Sequence, residues 1–287
     1  MKWINRNDDE SNYEDRRGKV RKGAAIGGIG TIVVFVIALV LNQDPSQLLN
    51  VANQILPAGG GEQVDEARAT ENEDMKVLSL GVFNSANDIW TKIFSNQLGK
   101  QYRKPTFVTF TDETMSGCGG ATASSGPFYC PADEKVYIDL AFFHELSSKF
   151  KAPGELAMAY VTAHEVGHHV QKLLGYTDYL DQKRRSVSQE EYNELSVRLE
   201  LQADFFAGVW ARQAVEMKII ELEKGDIESA MQAANAVGDD NIQKQMQGYI
   251  VPESFTHGTS EQRMRWFNKG YNTGDISQGD TFSARNL

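Results

Sequence analysis

The segment Thr162-Ala163-His164-Glu165-Val166-Gly167-His168-His169-Val170 constrains this chain more than any other. It places His-Glu-x-x-His inside a run, from Gly154 to Leu174, whose apolar residues recur at helical spacing, with Gly175 as its stop. At about 100° per residue, His164 and His168 point only about 40° apart. Their rings can therefore converge on one ion with Zn–N distances of about 2.0–2.1 Å. Glu165 sits beside that face and is the candidate general base for a water held by the metal. Small Ala163 and Gly167 leave room for other backbone or substrate to approach. His169 lies about 140° round from His164 and is expected to face away.

A catalytic zinc needs a third protein ligand and an open position for water. The three-His pattern would put another His where Leu174 stands and a Gly where Gln171 stands, so it fails here. A later Glu is the other solution, with Glu190, Glu191, Glu194, Glu200, Glu216 and Glu221 as the pool. Glu200 stands out because Asp204 follows one helical turn later in Glu200-Leu201-Gln202-Ala203-Asp204, among apolar neighbours. Glu200 then binds the metal, and Asp204 accepts the second N–H of a ligating His, His164 above all, fixing its tautomer.

His257, in Phe255-Thr256-His257-Gly258-Thr259-Ser260, lies ahead of a capped helix start. It is a candidate contact for the transition state or substrate, and a helix-entry hydrogen bond is the competing reading. Arg263 either orients an acid near the site or caps a surface. His144 has no partner at ligand spacing and is read as structural.

Residues 1–22 are polar, with Arg16, Arg17, Lys19, Arg21 and Lys22 crowded at the end. Ala24 to Leu41 then runs without charge, near the roughly 18–20 residues that span a bilayer. The sequence after it is a poor signal-peptidase site, so an uncleaved anchor over 23–42 is predicted, with the N-terminus cytoplasmic by the positive-inside rule. The remainder is then periplasmic or extracellular, where Cys118 and Cys130, the two cysteines of the chain, are expected to form a disulfide. Residues 43–73, with Pro57-Ala58-Gly59-Gly60-Gly61, read as a linker, 74–275 as the metallopeptidase domain and 276–287 as a loose tail. The net charge of −10 and the lack of a long basic run outside the N-terminal region exclude a general nucleic-acid binder.

The fold class read from this pattern is α+β. A helix carries Trp90 and Phe94 and ends at Gly99. Strands follow near 105–111, 128–130 and 134–140, the last half-exposed by its alternation. They make a hairpin-like sheet, pinned by the cysteines, whose edge could hold an extended peptide by strand addition. Most of the remainder is helix: Ser188 opens one running to about Lys224, Asp226 caps the next, another spans about Asp240 to Gln247, and Thr259-x-x-Gln262 is a capping box.

Taken together, Ser116-Gly117-Cys118-Gly119, Gly126-Pro127-Phe128-Tyr129-Cys130-Pro131-Ala132-Asp133, Lys135-Val136-Tyr137-Ile138-Asp139, His164 to Gln171, Glu200 to Asp204 and His257 to Arg263 resemble the bacterial neutral zinc metallopeptidase family, itself similar to gluzincins. An N-terminal Glu14-Asp15-Arg16-Arg17 before an apolar run also fits. The resemblance covers nearly the whole chain. It implies a zincin-like fold with a short sheet beside the active-site helix, Zn²⁺ on His164, His168 and Glu200, and Glu165 as catalytic. The expected function is a membrane-anchored zinc metallopeptidase acting on a peptide or protein substrate. A catalytically silent membrane-anchored scaffold that keeps the zincin fold is the rival.

Overall fold

In a computed structural model, which describes residues 1–21, 62–64, 70, 72–148, 152 and 154–287, the chain is a mixed α and β protein in which helices dominate. The chain divides into a larger unit, Met1–Asp15 with Asn72–Leu287, and a smaller one, Arg16–Glu71. In the smaller unit, β3 (Lys19–Arg21) pairs antiparallel with β4 (Glu62–Val64), Lys19 opposite Val64 and Arg21 opposite Glu62.

The larger unit begins with β1 (Lys2–Trp3) and β2 (Tyr13–Arg16), then α1 (Glu73–Leu98). A four-stranded sheet follows in the order β2, β5 (Thr106–Phe110), β9 (Lys135–Asp139), β8 (Phe128–Cys130). Between β5 and β8 stands a hairpin of β6 (Glu113–Ser116) and β7 (Gly119–Thr122). The remaining helices are α2 (Ala141–Ser148), α3 (Glu155–Leu174), α4 (Tyr176–Lys183), α5 (Gln189–Glu216), α6 (Asp226–Ala236), α7 (Asp239–Gln247) and α8 (Ser260–Thr273). Strand β10 (Ile220–Glu221) lies between α5 and α6.

The sheet is mixed and not a simple hairpin: β5 runs parallel to β9, and β8 antiparallel to it. Its two faces explain why β9 departs from the half-exposed strand expected of its alternation. Phe107, Val136 and Ile138 face the main core, while Val108, Phe110, Tyr137 and Cys130 form a second buried cluster on the opposite face. Phe128 stacks on Tyr137 at 4.8 Å and closes that cluster. On the main-core side, Phe83 of α1 stacks on Phe107 at 5.2 Å, and Trp90 meets Phe206 edge-on at 5.2 Å.

Helix α5 is the hub and packs against α3 and α8. Its contact with α8 is backbone on backbone: a Cβ on Gly208 would lie 2.1 Å from the Phe267 carbonyl oxygen, and one on Gly270 would lie 2.0 Å from that of Phe205. No side chain fits at either position, so two glycines set the spacing of the two helices. Helix α5 stops at Glu216, short of the expected Lys224, because the chain turns through Lys218 at φ 55° into β10. The Thr259 capping box forms as expected, with both hydrogen bonds present.

The topology expected at the N-terminus needs correction. Residues 2–3 pair with 220–221, Tyr13 Oη bonds Thr109 Oγ1 at 2.6 Å, and Asn84 Nδ2 donates to the Asn7 and Asp9 carbonyls at 2.9 Å. Residues 1–15 therefore belong to the same unit as the site, whereas a single crossing at 23–42 would have placed the two on opposite faces of a bilayer. The β3–β4 pairing also sets Arg21 opposite Glu62. Among the described residues no helix is long and apolar enough to cross a membrane. The single-pass placement, with a cytoplasmic N-terminus and an exported catalytic domain, is accordingly withdrawn; the apolar run assigned to the span, and most of the 43–73 linker, lie outside the described residues.

Residues 276–287, expected to be loose, are held. Arg198 donates to the Thr281 carbonyl at 2.5 Å, Thr281 Oγ1 returns a bond to the Arg198 carbonyl at 2.6 Å, and Gln202 donates to the Gly279 carbonyl at 3.0 Å.

Candidate metal centre

His164 and His168 sit on successive turns of α3, and their rings meet at right angles with centroids 4.7 Å apart. Glu200 reaches them from α5: its carboxylate lies 3.2 Å from His164 Nε2 and 3.5 Å from His168 Nε2. The three ligand atoms fall within 4.8 Å of one another, close enough to hold one metal ion. The approach of the two helices depends on Gly167, where a Cβ would come within 3.1 Å of the Ala203 carbonyl oxygen. The small residue between the two histidines therefore admits α5, not substrate.

A second layer of polar groups holds the first. Asp204 Oδ1 is 2.8 Å from His164 Nδ1, in ion-pair contact. Asp204 is fully buried and takes a bidentate grip from Arg263, Nε to Oδ2 at 2.8 Å and Nη2 to Oδ1 at 3.0 Å. Tyr160 Oη donates to Asp204 Oδ1 at 2.5 Å. His168 Nδ1 meets Gln171 Oε1 at 2.8 Å, and Gln171 Nε2 donates to the Leu199 carbonyl at 2.6 Å and to Gln202 Oε1 at 3.2 Å. The His168 ring is thus oriented by a hydrogen bond at its other nitrogen, and the His164 ring by the ion-pair contact of its Nδ1 with Asp204.

The electrostatics of the cluster favour positive charge at its centre. Burial alone would push the His164 imidazole down, but Asp204 above all, with Glu200, lifts it to about 10. Burial alone would raise both carboxyls. Instead His168 and then His164 hold Glu200 well below the ordinary carboxylate range, and Arg263 and His164 hold Asp204 at about 2. Two imidazoles and a buried carboxylate that bias a point toward positive charge fit a borderline-soft dication such as zinc.

The cluster opens into a cleft of about 470 Å³. Glu165 lines it on the same helix, and His257 lines it from the loop before α8. Asp239 holds that loop. Its Oδ2 accepts the backbone N–H groups of Thr256, His257 and Gly258 at 2.8, 2.6 and 3.0 Å, and its Oδ1 lies 3.1 Å from His257 Nδ1. That hydrogen bond, opposed by burial, raises the His257 pKa and favours its charged form.

His169 stays out of the site, as its helical angle requires. Its Nε2 donates to the Arg103 carbonyl at 2.6 Å and its Nδ1 accepts from Tyr129 Oη at 2.9 Å; burial pushes it down to about 4. His144 bonds Asn72 Oδ1 at 2.7 Å, away from the cleft. Cys118 and Cys130 form a disulfide with Cα atoms 5.8 Å apart, tying the β6–β7 turn to β8. Three contributors were missed in the sequence. Tyr160 and Gln171 carried a signal, one turn before His164 and three residues after His168 on the same face. Asp239 carried none.

The family model described as "putative neutral zinc metallopeptidase" matches residues 1–282. Protein YpfJ of Escherichia coli (strain K12) is 40% identical over 296 residues, covering 98% of this chain and 99% of its own. Protein Rv2575 of Mycobacterium tuberculosis (strain ATCC 25618 / H37Rv) is 37% identical over 266 residues, covering 87% of this chain and 86% of its own. Both relatives are described as uncharacterized. No solved structure matches the chain. With this coverage from end to end, and with the histidines and Glu200 gathered at one point, the chain belongs to the family described as putative neutral zinc metallopeptidases.

Proposed function

We propose that the chain is a zinc-dependent peptidase of zincin-like, gluzincin architecture, with His164, His168 and Glu200 as ligands and Glu165 as general base. The observation that carries this reading is the convergence of those three ligand atoms within 4.8 Å on a cleft that Glu165 also lines. Bound there, zinc supplies Lewis acidity toward a carbonyl oxygen and lowers the pKa of a coordinated water to about 7.

The residues of the chain do the rest. Glu165 takes a proton from the attacking water. As the C–N bond breaks, it passes that proton to the leaving amine. His257, whose pKa Asp239 raises, donates to the oxygen that gains negative charge. Arg263 and Tyr160 hold Asp204, which holds His164. Strand β8 is the outer strand of the sheet and lines the same cleft, so an extended peptide can add alongside it with its scissile bond over the ligands.

The test is the full-length chain loaded with zinc and its Glu165→Gln variant, each incubated with a peptide library read by mass spectrometry. Both should fold and bind equimolar zinc, with cleavage about 10²- to 10⁴-fold slower in the variant. Equal cleavage by both, or a folded wild type without zinc affinity, sinks the reading. Zinc binding with no cleavage of any peptide favours a silent scaffold instead.

A further inference from the structure

The cleft also indicates what kind of peptide is seated in it. Apolar and aromatic residues that line it together with Glu165 include Phe128 and Tyr129 of β8, Phe142 of α2, Val161 of α3 and Leu199 of α5. Val161 stands one helical turn before Glu165, so it forms the floor next to the general base. Phe128, Tyr129, Phe142 and Leu199 are only half-buried, so each still has apolar surface to cover.

The ionisable groups along the cleft are accounted for. Among the described lining residues they are His164, Glu165, His168, Glu200, His257, Arg263 and the phenols of Tyr129 and Tyr160. Burial raises both phenol pKa values and keeps them neutral, and Tyr129 Oη is engaged by His169. The guanidinium of Arg263 is taken up by Asp204, Tyr160 and the Val237 carbonyl, and the residue is 3% exposed. A peptide's terminal carboxylate would find no cation on these walls except His257, which is paired with Asp239 through Nδ1 and assigned to the oxygen of the scissile carbonyl. A terminal ammonium would find no carboxylate beyond the ligand and the base. A charged side chain would be desolvated without a counter-ion.

We infer that this cleft takes interior, extended peptide segments carrying a bulky apolar side chain next to the scissile bond, and that Phe142 and Val161 set that preference. The inference rests on the peptidase reading and narrows it from peptide bonds in general to endopeptidase action on apolar segments. It excludes trimming of chain ends.

The experiment uses zinc-loaded full-length chain and internally quenched decapeptides of Gly, Ala and Ser with one central residue varied among Leu, Phe, Asp and Lys. Each peptide is made with free ends and with acetylated and amidated ends. Leu and Phe peptides should be cut internally, blocked ends as fast as free ones, with kcat/KM about 10- to 200-fold above Asp and Lys. Phe142→Asp should move the preference toward Lys, and Phe142→Leu should keep it apolar. A need for a free end, removal of single terminal residues, or a preference for charged residues overturns the inference while leaving the peptidase reading intact. If no peptide is cut, fluorescence anisotropy with the zinc-loaded Glu165→Gln chain decides the inference separately. Tighter binding of blocked Leu and Phe peptides than of Asp and Lys ones supports it, and equal or absent binding overturns it.

Discussion

Replacing Asp204 by Asn isolates the layer behind the ligands. The carboxylate is fully buried, receives two hydrogen bonds from Arg263 and one from Tyr160, and lies 2.8 Å from His164 Nδ1. Asn keeps the volume but removes the charge, leaving a buried guanidinium facing a neutral amide. Breaking such a pair costs about 3–5 kcal/mol. The titration of Asp204 gives a similar size: the drop from 3.8 to about 2 corresponds to about 2.5 kcal/mol. Because that pKa is depressed in the folded state, the stabilisation is present above the unfolded value and is lost as pH falls through 3.8 toward 2. The variant should therefore unfold at lower urea in the presence of a chelator, and it should lose the part of the acid dependence that belongs to Asp204. Its zinc affinity, measured by competition with a chromogenic chelator, should fall about 10- to 100-fold because His164 loses its orienting partner. At saturating zinc the loss of stability should then exceed the metal-free loss by about 1.4–2.7 kcal/mol. An unchanged urea midpoint without metal, together with zinc affinity within twofold of wild type, would refute the argument.

Three further outcomes can be checked directly. His257→Gln should lower kcat about 10²- to 10³-fold with little change in KM, measured by steady-state kinetics, and a change confined to KM would assign His257 to substrate binding alone. His169 is held neutral with a folded pKa of about 4, so stability should fall as pH drops from its unfolded value near 6.5 toward 4; His169→Gln, compared with wild type by denaturation across that window, should flatten the slope. Gly208→Ala places a methyl 2.1 Å from the Phe267 carbonyl oxygen and should destabilise by at least about 3 kcal/mol in thermal denaturation, whereas the exposed helical position Glu194, beyond the first turn, should accept Ala within about 0.5 kcal/mol.

The site was legible in the sequence as far as its chemistry is local. His164, Glu165 and His168 are arranged by one helix, and Gly175, in the left-handed region at φ 90°, stops that helix where expected. Glu200 and Asp204 were also legible, because one turn of α5 places both on the same face. Arg263 was left between two roles because its partner, Asp204, lies 59 residues away, and helical spacing carries no information over that distance. Asp239 was invisible for the same reason: it anchors the His257 loop through three backbone N–H groups, and any acid at a helix start looks alike in sequence. The largest error concerned residues 1–22. Their polarity suggested a solvated segment ahead of an anchor, yet Trp3 and Tyr13 pack on the core and two short strands pair with distant partners. Strands of two and four residues are too short for periodicity to register.

Those two N-terminal strands also order events during synthesis. Tyr13–Arg16 has no neighbour until Thr106–Phe110 has been made, and Lys2–Trp3 has none until Ile220–Glu221 has been made. At about 5–20 residues per second, the part of the chain that leaves the ribosome first waits on the order of tens of seconds for its last partner. Strand β2 can cover the edge of β5 as soon as β5 is made, which removes a template for aggregation, whereas β1 still waits for β10.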